Sequence, residues 1–243
     1  MSLLLAYFNG IAGVVNAPGQ IPWPFVAGYF IIALIAAALV AKRQGGLSGF
    51  TTLDWVYMGV GGAFAVVWDF YLGSFIGRAI PSTPFFDISF IGRFLITMIT
   101  VGVVRKFGAG MITTFIFNLL ADLFHYGFGG EPVYFVYEAL TYGLFFDIMI
   151  AVTGGNLFCI EKPYKSKTAT YAVMLIEGAV IGYLYGAVPY SIFWLGFFAP
   201  FIYGGVVNWA RIYFLLWAYG VSNVPVGAIG AWITYRIAKA VGV

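Results

Sequence analysis

Runs of about 20 apolar residues, each long enough to cross the hydrocarbon core as a helix, recur along the chain at 23–41, 54–76, 86–104, 108–127, 133–153, 169–188 and 224–240. Short connections with turn chemistry separate them: RQGG (43–46), RAIPSTP (78–84), GGEP (129–132), EKPYKSK (161–167) and SNVP (222–225). The segment 190–221 fits two descriptions, one long tilted span or a broken hairpin of short membrane-dipping helices interrupted near Pro200 and Gly204–Gly205. The pattern predicts an all-α polytopic membrane protein with about 7–9 transmembrane or membrane-dipping helices. Residues 1–50 form an N-terminal unit with an extra span, and 51–243 form the helical core domain.

Charge decides between the descriptions of 190–221. Lys42 and Arg43, then Arg105 and Lys106, then Lys162, Lys165 and Lys167 fall at alternate ends of the spans, and Arg78 is the only basic residue at the opposite ends. The positive-inside rule places 42–53, 105–107 and 154–168 in the cytoplasm of a plasma-membrane protein. Arg236 and Lys239 belong there too, so 189–223 must cross an even number of times, and a broken hairpin is expected. The N-terminal SLLLAYFNGIAGVVNA has no basic residue before its apolar core and is followed by Pro18. It is expected to be retained as a short interfacial or re-entrant helix rather than cleaved.

Against that apolar background the ionisable residues stand out, because a charge near the bilayer centre costs several kcal/mol unless something compensates it. Thr114, Asn118, Asp122 and His125 are spaced by four, four and three, which puts them on one helical stripe. Tyr134, Glu138 and Tyr142, each four apart, make a second stripe on the next span. With Asp69 and Arg93, five ionisable groups on four successive helices converge on the outer half of the bilayer. The stripes are expected to face each other across an outward-opening cavity. Trp194, Asn208, Trp209 and Arg211 are candidates for a lid over it. A structural ion pair between Arg93 and a carboxylate is the competing account.

Small residues form further faces. Gly59 and Ala63, and Gly61 and Ala65, stand four apart, as do Ala33, Ala37 and Ala41. Such faces let helices approach closely, either within the fold or against a partner helix.

Composition narrows the function. Of 243 residues, 62% are hydrophobic and 9% charged, far from the roughly 25% charged of soluble domains. A net charge of +3 without a basic face argues against nucleic acid as a partner. One cysteine and one histidine exclude an internal disulfide, a cysteine-only metal site and bis-histidine haem. P-loop, HExxH and GxSxG patterns are absent, so no cofactor and no enzymatic activity are expected.

FIGRFLITMITVGVVRKFGAGMITTFIFNLLADLF (90–124), YEALTYGLFFDIMIAVTGG (137–155) and the closing PVGAIGAWITYRIAKAVGV (225–243) resemble the substrate-binding S components of energy-coupling factor vitamin transporters, nearest to the thiamine and hydroxymethylpyrimidine branch. The resemblance covers roughly 54–243. It implies a six-helix core that binds a vitamin from outside, with a transmembrane coupling subunit and cytoplasmic ATPases as partners alongside membrane lipid. In that family a small-residue face on the first core helix meets the coupling subunit, which gives Gly59, Gly61, Ala63 and Ala65 a docking role. The extra N-terminal span and the 190–221 segment depart from the family layout. The alternative from another class is an accessory subunit of a respiratory or oxidative membrane complex, whose polar stripe is structural or proton-conducting.

Overall fold

The computed structural model of the chain describes residues 13–44, 46–126 and 133–242. Most of the N-terminal apolar stretch, Gly45 and the GGEP connection therefore lie outside the described residues. Seven helices are present among them: α1 (Trp23–Arg43), α2 (Thr52–Gly77), α3 (Ile88–Val104), α4 (Ala109–His125), α5 (Val133–Val152), α6 (Lys167–Tyr203) and α7 (Trp209–Ala240). Five are long and apolar enough to cross a membrane, and α3 and α4 are shorter apolar helices between them. The chain is an all-α, multi-pass membrane protein.

Local chemistry sets the helix ends. Thr51 and Asp54 form a reciprocal cap at the start of α2, with Asp54 N donating to Thr51 Oγ1 at 3.2 Å and Thr51 N to Asp54 Oδ2 at 2.6 Å. Asp87 caps α3 by accepting from Phe90 N at 3.1 Å. The start of α4 is capped from another helix. Asp147 on α5, fully buried, accepts from Gly110 N and Met111 N at 2.9 Å each. Gly110 makes that approach possible, since a Cβ there would run into the carbonyl of Gly143 on α5.

Helices α2 to α7 close into a ring. Following the contacts around it, α2 packs on α3, α3 on α7, α7 on α6, α6 on α5, α5 on α4, and α4 back on α2. The α6–α7 seam is the most extensive, and Gly178, Gly182 and Gly227 let its backbones touch. Phe94, Met98, Phe146, Ile181 and Tyr185, all fully buried, fill the interior of the ring. The 153–166 connection tucks Leu157, Phe158 and Ile160 into this core, where Phe158 N donates to Glu177 at 2.6 Å. Helix α1 stays outside the ring and packs through Ala33 and Ala37 near Phe107 and Leu144.

The structure revises the reading of 190–221. It is neither one separate span nor a hairpin of two short ones. Residues 189–203 prolong α6 and residues 209–221 open α7, so the chain turns once between two long helices. Gly204 and Gly205 make the turn, at φ 81° and 112°, where other residues are strained. Asn208 then caps α7 by accepting from Arg211 N at 3.0 Å. SNVP is not a connection, because Pro225 lies within α7. Neighbouring helices and side chains in a membrane bundle re-satisfy the carbonyl that proline leaves free. The even number of crossings expected from charge is kept, with the basic α7 end on the same face as the other basic connections.

The segment before α1 is strapped across this turn. Gln20 donates to the Phe197 carbonyl at 3.0 Å, Ile21 N to the Gly196 carbonyl at 2.9 Å and Trp209 Nε1 to the Gly19 carbonyl at 2.8 Å.

Candidate functional site

Four helices carry wide turns with i→i+5 bonding, a feature often found at functional sites: Val67–Gly73, Asp122–Tyr126, Ala139–Gly143 and Pro189–Phe198. All four lie in the half of the ring away from the basic connections. Three of them border a cavity of about 380 Å³ that opens at that end. Its wall combines Asp69 of α2, Asp87 and Phe90 at the start of α3, Arg93 of α3, and Tyr134, Tyr137, Glu138 and Tyr142 of α5. Tyr190 and Trp194 of α6 and Tyr219 and Asn223 of α7 complete it, with Phe85 and Phe86 of the 78–87 connection at the mouth.

At the inner end of the cavity, Arg93 Nη1 stands 3.3 Å from Asp69 Oδ2 and 3.7 Å from Glu138 Oε2. One guanidinium thus joins carboxylates from two other helices. Three rings surround it, with its Cζ 4.8 Å from the centroid of Phe117 and 5.2 Å from those of Phe90 and Tyr142. Such contacts favour a cation removed from water. Its Nε is buried without a hydrogen-bond partner. Asn118 of α4 donates to Glu138 Oε2 at 3.2 Å and to the Thr114 carbonyl at 3.0 Å. Tyr137 donates to the Pro189 carbonyl at 2.8 Å, which ties α5 to the wide turn of α6. Tyr185, stacked on Phe94 with centroids 4.8 Å apart, lies beneath Tyr142.

The cavity wall therefore holds three carboxylates (Asp69, Asp87 and Glu138) and one guanidinium, amid aromatic rings. The carboxylates outnumber the cation, and the surplus suits a positively charged guest. The chain matches no protein-family model, no curated protein and no solved structure.

The structure gathers some of the expected residues and disperses others. Asp69, Arg93, Glu138, Tyr142 and Trp194 line the cavity, and Asn118 stands behind Glu138 and holds it. Asp122 and His125 do not line it. No α4 side chain is in the cavity wall, and the Asn118 stripe reaches the site through the bond from Asn118 to Glu138. The His125 ring instead stacks on Phe70 with centroids 4.4 Å apart. Asn208 and Arg211 sit at the start of α7 and line a separate, smaller cleft with Tyr203 and Gly204, so they form no lid over the cavity. Within the small-residue faces, Gly61 and Ala65 are buried, Gly61 against Thr100 of α3 and Ala65 in a cluster with Phe117 and Ala121. Only Gly59 and Ala63 keep to the outer side.

Asp87, Tyr137, Tyr190, Tyr219 and Asn223 escaped the sequence reading. Asp87 precedes a span as an N-cap, a position whose usual explanation is structural. The tyrosines look like interfacial aromatics until the helices are closed into a ring. Among the described residues, no group of three His, Cys, Asp or Glu side chains is placed to hold a metal ion.

Proposed function

We propose that the protein is the membrane-embedded substrate-binding component of a small-molecule uptake system, taking a flat, positively charged vitamin or vitamin precursor from the face opposite the basic connections. The observation that carries this reading is the cavity in which three carboxylates face one guanidinium among aromatic rings. Aromatic faces attract a ring-borne cation, the carboxylates supply its counter-charge, and Arg93 and Glu138 present hydrogen-bonding groups to a heterocycle's edge. A volume of about 380 Å³ falls within the range of small-molecule sites. A closed ring of six helices also fits the six-helix core that the vitamin-transporter resemblance implies, with the peripheral α1 as the departure from that layout. In this reading the basic connections and the C-terminus are cytoplasmic, the membrane is the plasma membrane, and a coupling subunit with ATPases drives release.

The test is a thermal-shift screen of the detergent-purified protein against water-soluble vitamins, thiamine and its hydroxymethylpyrimidine precursor included. Stabilisation by a flat cation, and by no anion of similar size, is expected. Stabilisation by anionic vitamins alone would overturn the reading.

A further inference from the structure

At the opposite end of the ring the structure holds a second recess of a different character, a groove of about 490 Å³ between the end of α1, the 46–50 connection and the start of α4. Ala38, Ala41, Leu47, Phe50, Met111 and Ile112 make its walls almost wholly apolar. Packing explains why it exists. Helix α1 lies against Phe107 through the small side chains of Ala33 and Ala37, and the connection turns back at Gly46, at φ 57°, before it can cover the seam. The groove sits where α1 passes out of the apolar layer, so hydrocarbon borders one side of it and water the other.

Its rim is cationic. Lys42, which lines the groove, and Arg43 beside it are exposed in the last turn of α1. The third cation nearby, Lys106, is committed to Asp54. No acidic side chain pairs with Lys42 or Arg43 among the described residues. An apolar slot at membrane depth with unpaired cations at its water-side rim is complementary to one kind of molecule, an acyl chain attached to a negatively charged headgroup. A zwitterionic lipid would fill the slot but leave the rim charges unanswered. A partner helix would need an apolar face ending in acidic residues.

We infer that this groove is a binding site for an anionic phospholipid of the leaflet on the basic side, its chain lying along Ala38, Phe50 and Met111 and its phosphate held by Lys42 and Arg43. The site is separate from the cavity at the other end, and it stands or falls independently of the uptake reading.

The experiment is native mass spectrometry of the full chain released from vesicles of equal parts phosphatidylglycerol and phosphatidylcholine. Wild-type protein is expected to retain one phosphatidylglycerol in preference to phosphatidylcholine. Lys42→Gln with Arg43→Gln should weaken that preference about fivefold per charge removed, since each basic residue near an anionic surface contributes about 1 kcal/mol. Lys42→Arg with Arg43→Lys, which keeps both charges, should leave it intact. Ala38→Phe, at a membrane-facing position where the new ring points into the groove without disturbing the core, should abolish retention of either lipid. Equal retention of the two lipids by wild type would overturn the proposal. So would retention that is unchanged in both the charge-removal and the groove-filling variants.

Discussion

Asn118 on α4 donates to the Glu138 carboxylate on α5 at 3.2 Å, joining the two polar stripes that helical spacing alone had placed on separate helices. On its other side the same carboxylate oxygen lies 3.7 Å from Arg93, which also pairs with Asp69. Four helices of the ring therefore meet through one chain of polar contacts, Asn118–Glu138–Arg93–Asp69. The chain fixes the inner end of the cavity where an apolar core would leave no recess.

Arg93 is the member whose loss should cost most. Arg93→Gln leaves two carboxylates facing each other without a cation, and breaking a buried pair this way typically costs about 3–5 kcal/mol. Thermal unfolding in detergent should show a large drop in midpoint. Arg93→Lys should fall between, because an ammonium keeps the charge but loses the guanidinium's contacts with the Phe90, Phe117 and Tyr142 rings. The double variant Arg93→Gln with Glu138→Gln should be less destabilised than the single losses added together, since the pair shares one interaction.

Asp147 illustrates a carboxylate whose role is structural. It lies outside the cavity and caps α4 from α5 through Gly110 N and Met111 N. Asp147→Ala should destabilise by about 1–3 kcal/mol, the penalty for leaving buried donors unmet. Ligand binding measured at a temperature where the variant is folded should match wild type.

Much of this was legible in the sequence, and what was not has identifiable causes. The span positions followed from apolar run length, and the pairing of faces followed from four-residue spacing at Asn118 and Glu138. Spacing put Asp122 and His125 on the Asn118 face, but a shared face does not say which helix lines a cavity, and α4 stands behind Glu138 instead of in the wall. The 190–221 segment misled for another reason. Pro200 and Pro225 read as breaks, yet both lie inside helix, and the chain turns only over 204–208, starting at Gly204 and Gly205. Asp87 and Tyr219 were invisible as site residues because their meeting depends on how α3 and α7 pack.

Asn208 and Arg211 provide a control for the geometry. The structure keeps them out of the cavity and gives Asn208 the task of capping α7. Asn208→Ala should cost about 1 kcal/mol of stability, the usual loss of a cap. Neither that change nor Arg211→Gln should shift the affinity for a ligand that Asp69→Asn weakens. Titrating all three variants with the same compound makes the comparison.

Cys159, the single cysteine, offers a probe of the end of the ring near the basic connections. It is 1% exposed in the 153–166 connection, and burial, with Glu177 adding negative charge nearby, pushes its thiol pKa up. A raised pKa lowers the thiolate fraction at any pH below it, so alkylation should be slow near neutrality and quicken as pH rises. Maleimide labelling in native detergent solution should lag behind the rate in denaturant. Glu177→Gln removes the nearby charge and a strong acceptor for Phe158 N, and it should accelerate labelling of the folded protein.

Calorimetric titration of purified protein with thiamine asks whether the Asp69–Arg93–Glu138 cavity binds a flat cation. Saturable one-to-one binding is expected, weakened at least tenfold in Asp69→Asn and in Glu138→Gln, each shown to be folded by its unfolding transition. Binding with unchanged affinity in both variants would contradict that placement of the site.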